Sequence, residues 1–81
     1  MNDHSFGAYL RSLRKNQTPP MTQEQLAKAI NRSKMTVSQF EKGKNAPPQG
    51  ELLEKIISAL SLTPEQENKL RFLASETRKT I

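Results

Sequence analysis

The sequence predicts an all-α fold of five short helices, and three observations predict it. Apolar residues recur every three or four positions, the period of one helix face; strand-like alternation appears nowhere; and N-cap, Pro and Gly signals fall between the apolar stretches. In the first segment Phe6, Leu10 and Leu13 stand at i, i+4 and i+7 and define an inner face, with Arg11, Arg14 and Lys15 on the other sides. Pro19 and Pro20 cannot continue a helix, so this one ends before Asn16.

Thr22 is an N-cap residue type, and Gln25 three positions on completes a capping box, so the second helix begins at Gln23 and runs to about Ile30. Leu26, Ala27 and Ile30 form its inner face. Asn31 tolerates the left-handed backbone conformation that ends a helix sharply. Ser33 caps the third helix, Lys34 to about Lys42, with Val37 and Phe40 inward and Gly43 as terminator. After a loop through Pro47 and Pro48, Leu52, Leu53, Ile56, Ile57 and Leu60 mark the most apolar helix of the chain. Thr63, Pro64 and Gln66 start the fifth, at about 64–78, which Leu70, Leu73 and Ala74 continue.

At 81 residues the chain is expected to form a single domain, with its core within 6–62. One third of the residues are hydrophobic and Trp is absent, so that core is modest. The absence of Cys excludes a disulfide framework, a thiolate zinc site and a cysteine nucleophile. No metal or cofactor is expected. Nor is catalysis: His4 is the single histidine, no glycine-rich phosphate loop occurs, and Glu24, Glu51 and Glu54 lack partners for acid and base work. Short apolar runs and a polar Met1-Asn2-Asp3-His4 start argue against a membrane span or a secretory signal, and the expected location is the cytoplasm.

The formal charge of +5 is unevenly placed. Residues 11–44 carry eight basic side chains against two acidic ones, whereas residues 45–81 carry five of each. A positive field confined to one half of a chain suits a polyanion such as DNA. In that half, two helices joined by a tight turn describe a helix-turn-helix, with Leu26, Ala27, Ile30, Val37 and Phe40 where such a unit needs apolar side chains.

These segments resemble the phage-repressor and Cro-like helix-turn-helix regulators, the xenobiotic-response-element family, over residues 6–62. The resemblance rests on Leu10-Arg11-Ser12-Leu13-Arg14, Thr22-Gln23-Glu24-Gln25-Leu26-Ala27, Thr36 through Lys44, and Pro47 with Leu60. The chain departs from the pattern in placing Asn31 where Gly is more usual and in a longer loop from Asn16 to Met21. The resemblance implies a five-helix repressor-like DNA-binding domain whose third helix enters the major groove. With Val37 and Phe40 inward, Lys34, Met35, Ser38 and Gln39 project outward as candidate base readers. Lys34 suits guanine, Gln39 suits adenine, and Met35 could press on a thymine methyl. Gln23, Thr36, Lys42, Lys44 and Asn45 are the candidate phosphate contacts. Arg14 and Glu41 match positions that pair in the family, so they are expected to form a partly buried ion pair between the first and third helices.

The implied function is sequence-specific binding of double-stranded DNA as a transcriptional regulator, a repressor, acting on a palindromic operator as a homodimer. The fifth helix, through Leu70, Phe72, Leu73 and Ile81, is the candidate dimer surface. The implied setting is a prokaryotic or phage-type cytoplasm, in association with the nucleoid. The competing reading is an antitoxin-like or adaptor module on the same scaffold; acidic or bulky apolar residues at 34, 35, 38 and 39 would favour it, whereas Lys34, Ser38 and Gln39 favour base contact.

Overall fold

A computed structural model of the chain describes residues 6–79, with side chains over 6–76. Among the described residues the structure is all-helical: α1 Phe6–Lys15, α2 Gln23–Ala29, α3 Lys34–Lys42, α4 Glu51–Leu60 and α5 Pro64–Lys79. The local signals account for the boundaries. At Thr22 both halves of a capping box form: the Thr22 hydroxyl accepts from the Gln25 amide at 3.0 Å, and the Gln25 side chain accepts from the Thr22 amide at 2.8 Å. Thr63 and Gln66 repeat the box ahead of α5, both bonds measuring 3.1 Å.

The turn between α2 and α3 follows from one residue. Asn31 adopts φ 60°, which lets the Arg32 amide donate to the Ala27 carbonyl at 2.9 Å and the Asn31 amide to that of Lys28 at 3.2 Å. This is the Schellman closure, which satisfies carbonyls the helix end would leave open. Gly43 closes α3 in the same pattern with φ 76°, its following amide, of Lys44, donating to the Gln39 carbonyl at 2.9 Å. Ser33, whose Oγ accepts from the Thr36 amide at 3.2 Å, starts α3 directly after the turn. Two good stop and start signals in succession hold α2 and α3 in one fixed relation.

The core draws on every helix: Phe6, Leu10 and Leu13 from α1, Leu26 and Ala27 from α2, Val37 and Phe40 from α3, Leu53, Ile56, Ile57 and Leu60 from α4, and Leu70, Leu73 and Ala74 from α5, with Ile30 at the turn. The expected core limit at 62 therefore needs correcting. α5 is part of the core, and Leu70 and Leu73, read as a dimer stripe, are buried inside their own chain. The physical reason is that the other helices are at most ten residues long and do not close the core; a sixteen-residue helix laid against α1 does. Phe72 stays outside, 61% exposed, and Ile81 lies outside the described residues.

Gly7 sets how closely α1 meets α3. A Cβ there would lie 2.6 Å from the Glu41 carbonyl oxygen and would also strike that of Phe40, so only glycine allows this approach. The consequence is that the first turn of α1 rests against the last turn of α3, which anchors the latter in the chain.

Candidate nucleic-acid interface

α3 buries Val37 and Phe40, and the helical period then dictates what its opposite side presents. Lys34 and Met35 are exposed, Met35 by 67%, and Ser38 and Gln39 are half-buried. These four side chains line one shallow concavity together with Gln23, Lys42 and Lys44. Lysines thus rim a strip of uncharged hydrogen-bonding and thioether groups. Such a strip can donate to and accept from base edges, while the rim attracts phosphates.

Gln39 is held by a neighbour. The Asn45 side-chain amide donates to Gln39 Oε1 at 2.8 Å, which fixes the glutamine side chain from the loop after α3. One lone pair of that oxygen remains open, and so do both hydrogens on Nε2. Thr36 is turned toward the helix start, its hydroxyl 3.0 Å from Ser33 Oγ, and is half-buried. Lys42 and Lys44 are exposed.

Beneath this face lies a buried charge network. Arg14 Nε donates to Glu41 Oε2 at 2.7 Å and Arg14 Nη2 to Oε1 at 3.0 Å, with the two side chains only 8% and 3% exposed. Arg14 Nη1 donates to the Met21 carbonyl at 2.8 Å, and the Met21 amide donates back to the Arg14 carbonyl at 3.1 Å. Glu41 Oε1 also accepts from Gln23 Nε2 at 3.0 Å. The Arg14–Glu41 pair therefore ties α1, the loop before α2, α2 itself and α3 into a single frame. No buried side-chain polar atom lacks a partner among the described residues, which is what makes a buried pair tolerable.

The role of Gln23 within this frame is not visible in the sequence. It is expected to meet a phosphate through the free amides at the start of α2, and its side-chain amide is separately engaged by Glu41; no spacing rule links positions 23 and 41. The loop from Asn16 to Met21 is likewise tied down, by Gln17 Nε2 donating to the Leu60 carbonyl at 3.0 Å. Among the described residues no group of His, Asp and Glu is placed to hold a metal, and no helix is long and apolar enough to cross a membrane. His4 lies outside the described residues.

Two helices at a fixed turn, the second with a polar, lysine-rimmed outer side, define a DNA-binding helix-turn-helix unit. The comparison with known families agrees: the family model described as a helix-turn-helix domain matches residues 5–70. The chain belongs to this family, whose members are helix-turn-helix domains of the xenobiotic-response-element and Cro-like type, a DNA-binding, non-enzymatic domain type. No match to the chain was found among curated proteins or among solved structures.

Proposed function

We propose that the protein is a transcriptional regulator, acting as a repressor, that reads double-stranded DNA by seating α3 in the major groove. The observation that carries this reading is the composition of the outer side of α3: Lys34, Met35, Ser38 and Gln39 stand open on the side opposite Val37 and Phe40, rimmed by Lys42 and Lys44. In this reading Lys34 donates to guanine O6 and N7, Gln39 pairs with adenine, Met35 packs on a thymine methyl and Ser38 contacts a base edge. Gln23, Thr36, Lys42, Lys44 and Asn45 meet phosphates and set the docking angle. Arg14 and Glu41 hold α3 at that angle and touch no base.

The protein acts as a homodimer on a palindromic operator, with half-sites about 34 Å apart. With Leu70 and Leu73 buried, pairing through α5 centres on Phe72, the large apolar side chain that α5 leaves exposed. Residues 1–81 work as one domain in the cytoplasm, in association with the nucleoid, and need no cofactor.

Selection from random duplexes at two salt concentrations tests the reading. The expected result is a palindromic consensus, with Gln39→Ala relaxing the preference at one base pair per half-site by about 1–3 kcal/mol. Salt-dependent binding with no consensus would leave only the electrostatic part of the reading; no binding would reject it.

A further inference from the structure

A second groove opens beside the recognition face, lined by Arg11, Arg14 and Lys15 from α1 and by Lys34 and Lys42 from α3. Arg11, Arg14 and Lys15 stand at i, i+3 and i+4, so they share one flank of α1. The acidic side chains in the groove do not balance them: Glu41 is consumed by Arg14, which leaves Glu24 against four cations. Arg11, Lys15, Lys34 and Lys42 have neither an ion-pair nor a hydrogen-bond partner among the described residues. Arg11 and Lys15 repel each other at i, i+4, a cost to α1 with no return inside the molecule. Such an arrangement suits an anion supplied from outside.

The groove is continuous with the recognition face, because Gln23, Lys34 and Lys42 line both. α1 packs directly on α3, and packed helix axes lie about 8–10 Å apart. The major groove is about 12 Å wide, and because the two grooves share Gln23, Lys34 and Lys42, the sugar-phosphate strand bordering a groove that admits α3 would run along the cations of α1. We propose that Arg11 and Lys15 each neutralise one phosphate of that strand, extending the footprint beyond the start of α2, α3 and its following loop. This rests on the DNA-binding reading above and adds to it two contacts on the first helix.

The test measures binding of the full chain to its selected duplex by fluorescence anisotropy across a range of KCl concentrations. Each phosphate neutralised contributes about 0.9 to the slope of log K against log salt. The double variant Arg11→Gln with Lys15→Gln is expected to lower the magnitude of that slope by about 1.8, with the base consensus unchanged. Lys55→Gln, on α4 and lining neither groove, is the control for removing a cation elsewhere and should leave the slope as it is. Both replaced side chains are exposed, and circular dichroism melts confirm that each variant is folded before binding is measured. A folded double variant with the wild-type slope, from a wild-type chain that binds its consensus, overturns the proposal and leaves the DNA reading intact; a changed consensus overturns it too, by making these residues readers. A wild-type chain that binds no duplex overturns both.

Discussion

Arg14 and Arg71 each grip a glutamate at two points, and their surroundings differ. Arg14 holds Glu41 between α1 and α3 with both side chains at or below 8% exposure, while Arg71 holds Glu54 between α4 and α5 at 2.6 and 2.9 Å with side chains 37% and 56% exposed. Arg71 also reaches Glu67, one turn back on its own helix, at 2.8 Å. Every polar atom of the inner pair that could be stranded is given a partner from another segment of the chain. The outer group stays in water, where solvent already serves both charges. Identical chemistry thus joins α1, α2, α3 and the loop between α1 and α2 in one place and adds little in the other.

The largest expected effect comes from breaking the inner pair. Glu41→Ala strands Arg14 and frees Gln23, and a loss of about 3 kcal/mol is expected in urea unfolding. Replacing both partners, Arg14→Met with Glu41→Leu, should recover most of that stability because no charge is left buried. If orientation is what the pair supplies, the double variant nevertheless binds DNA more weakly than wild type. A double variant as unstable as Glu41→Ala would instead make the pair a net source of stability.

Gly7→Ala sharpens the comparison by disturbing the packing that shelters the inner pair. The added methyl meets the Phe40 and Glu41 carbonyls, and such overpacking costs about 2 kcal/mol, against about 1 kcal/mol gained from helix propensity. A net loss near 1 kcal/mol is expected by denaturant titration. A more stable variant would show that α1 can shift away from α3 freely.

The smallest effect belongs to the outer group. Hydrogen bonding from Arg71 holds the Glu54 carboxyl below its ordinary value of 4.5, and the same bonds raise Arg71. A carboxyl lowered by folding stabilises the folded state above its ordinary value and loses that contribution as the pH falls through the folded one. Glu54→Gln should therefore lower the melting temperature by about 2 °C or less at pH 7, and the difference should vanish in acid below the folded-state value. A gap that persists in strong acid would assign the effect to packing.

The sequence shows parts of both charge groups. Glu67 and Arg71 at i, i+4 are readable from spacing alone, since a helix brings such pairs together. Arg14 and Glu41, twenty-seven positions apart, come into view only through resemblance to a family. Gly7 inside an amphipathic helix is a signal that could have revealed the close approach to α3, because glycine costs a helix stability unless packing needs it. Nothing in the chain order announces that Gln23 donates to Glu41 or that Asn45 donates to Gln39.

What the sequence determined by itself is whatever is encoded within a turn or two of helix: the five segments, the capping boxes at Thr22 and Thr63, the left-handed stop at Asn31, and the side of α3 that Val37 and Phe40 leave outward. The tertiary structure alone decided that Leu70 and Leu73 face inward, that Phe72 does not, and that the cations of α1 share a groove with those of α3. The division has a physical cause. Caps and periodicity arise from hydrogen bonds and side-chain directions three or four residues apart, whereas the partner of a helix face depends on where distant segments pack to close one core.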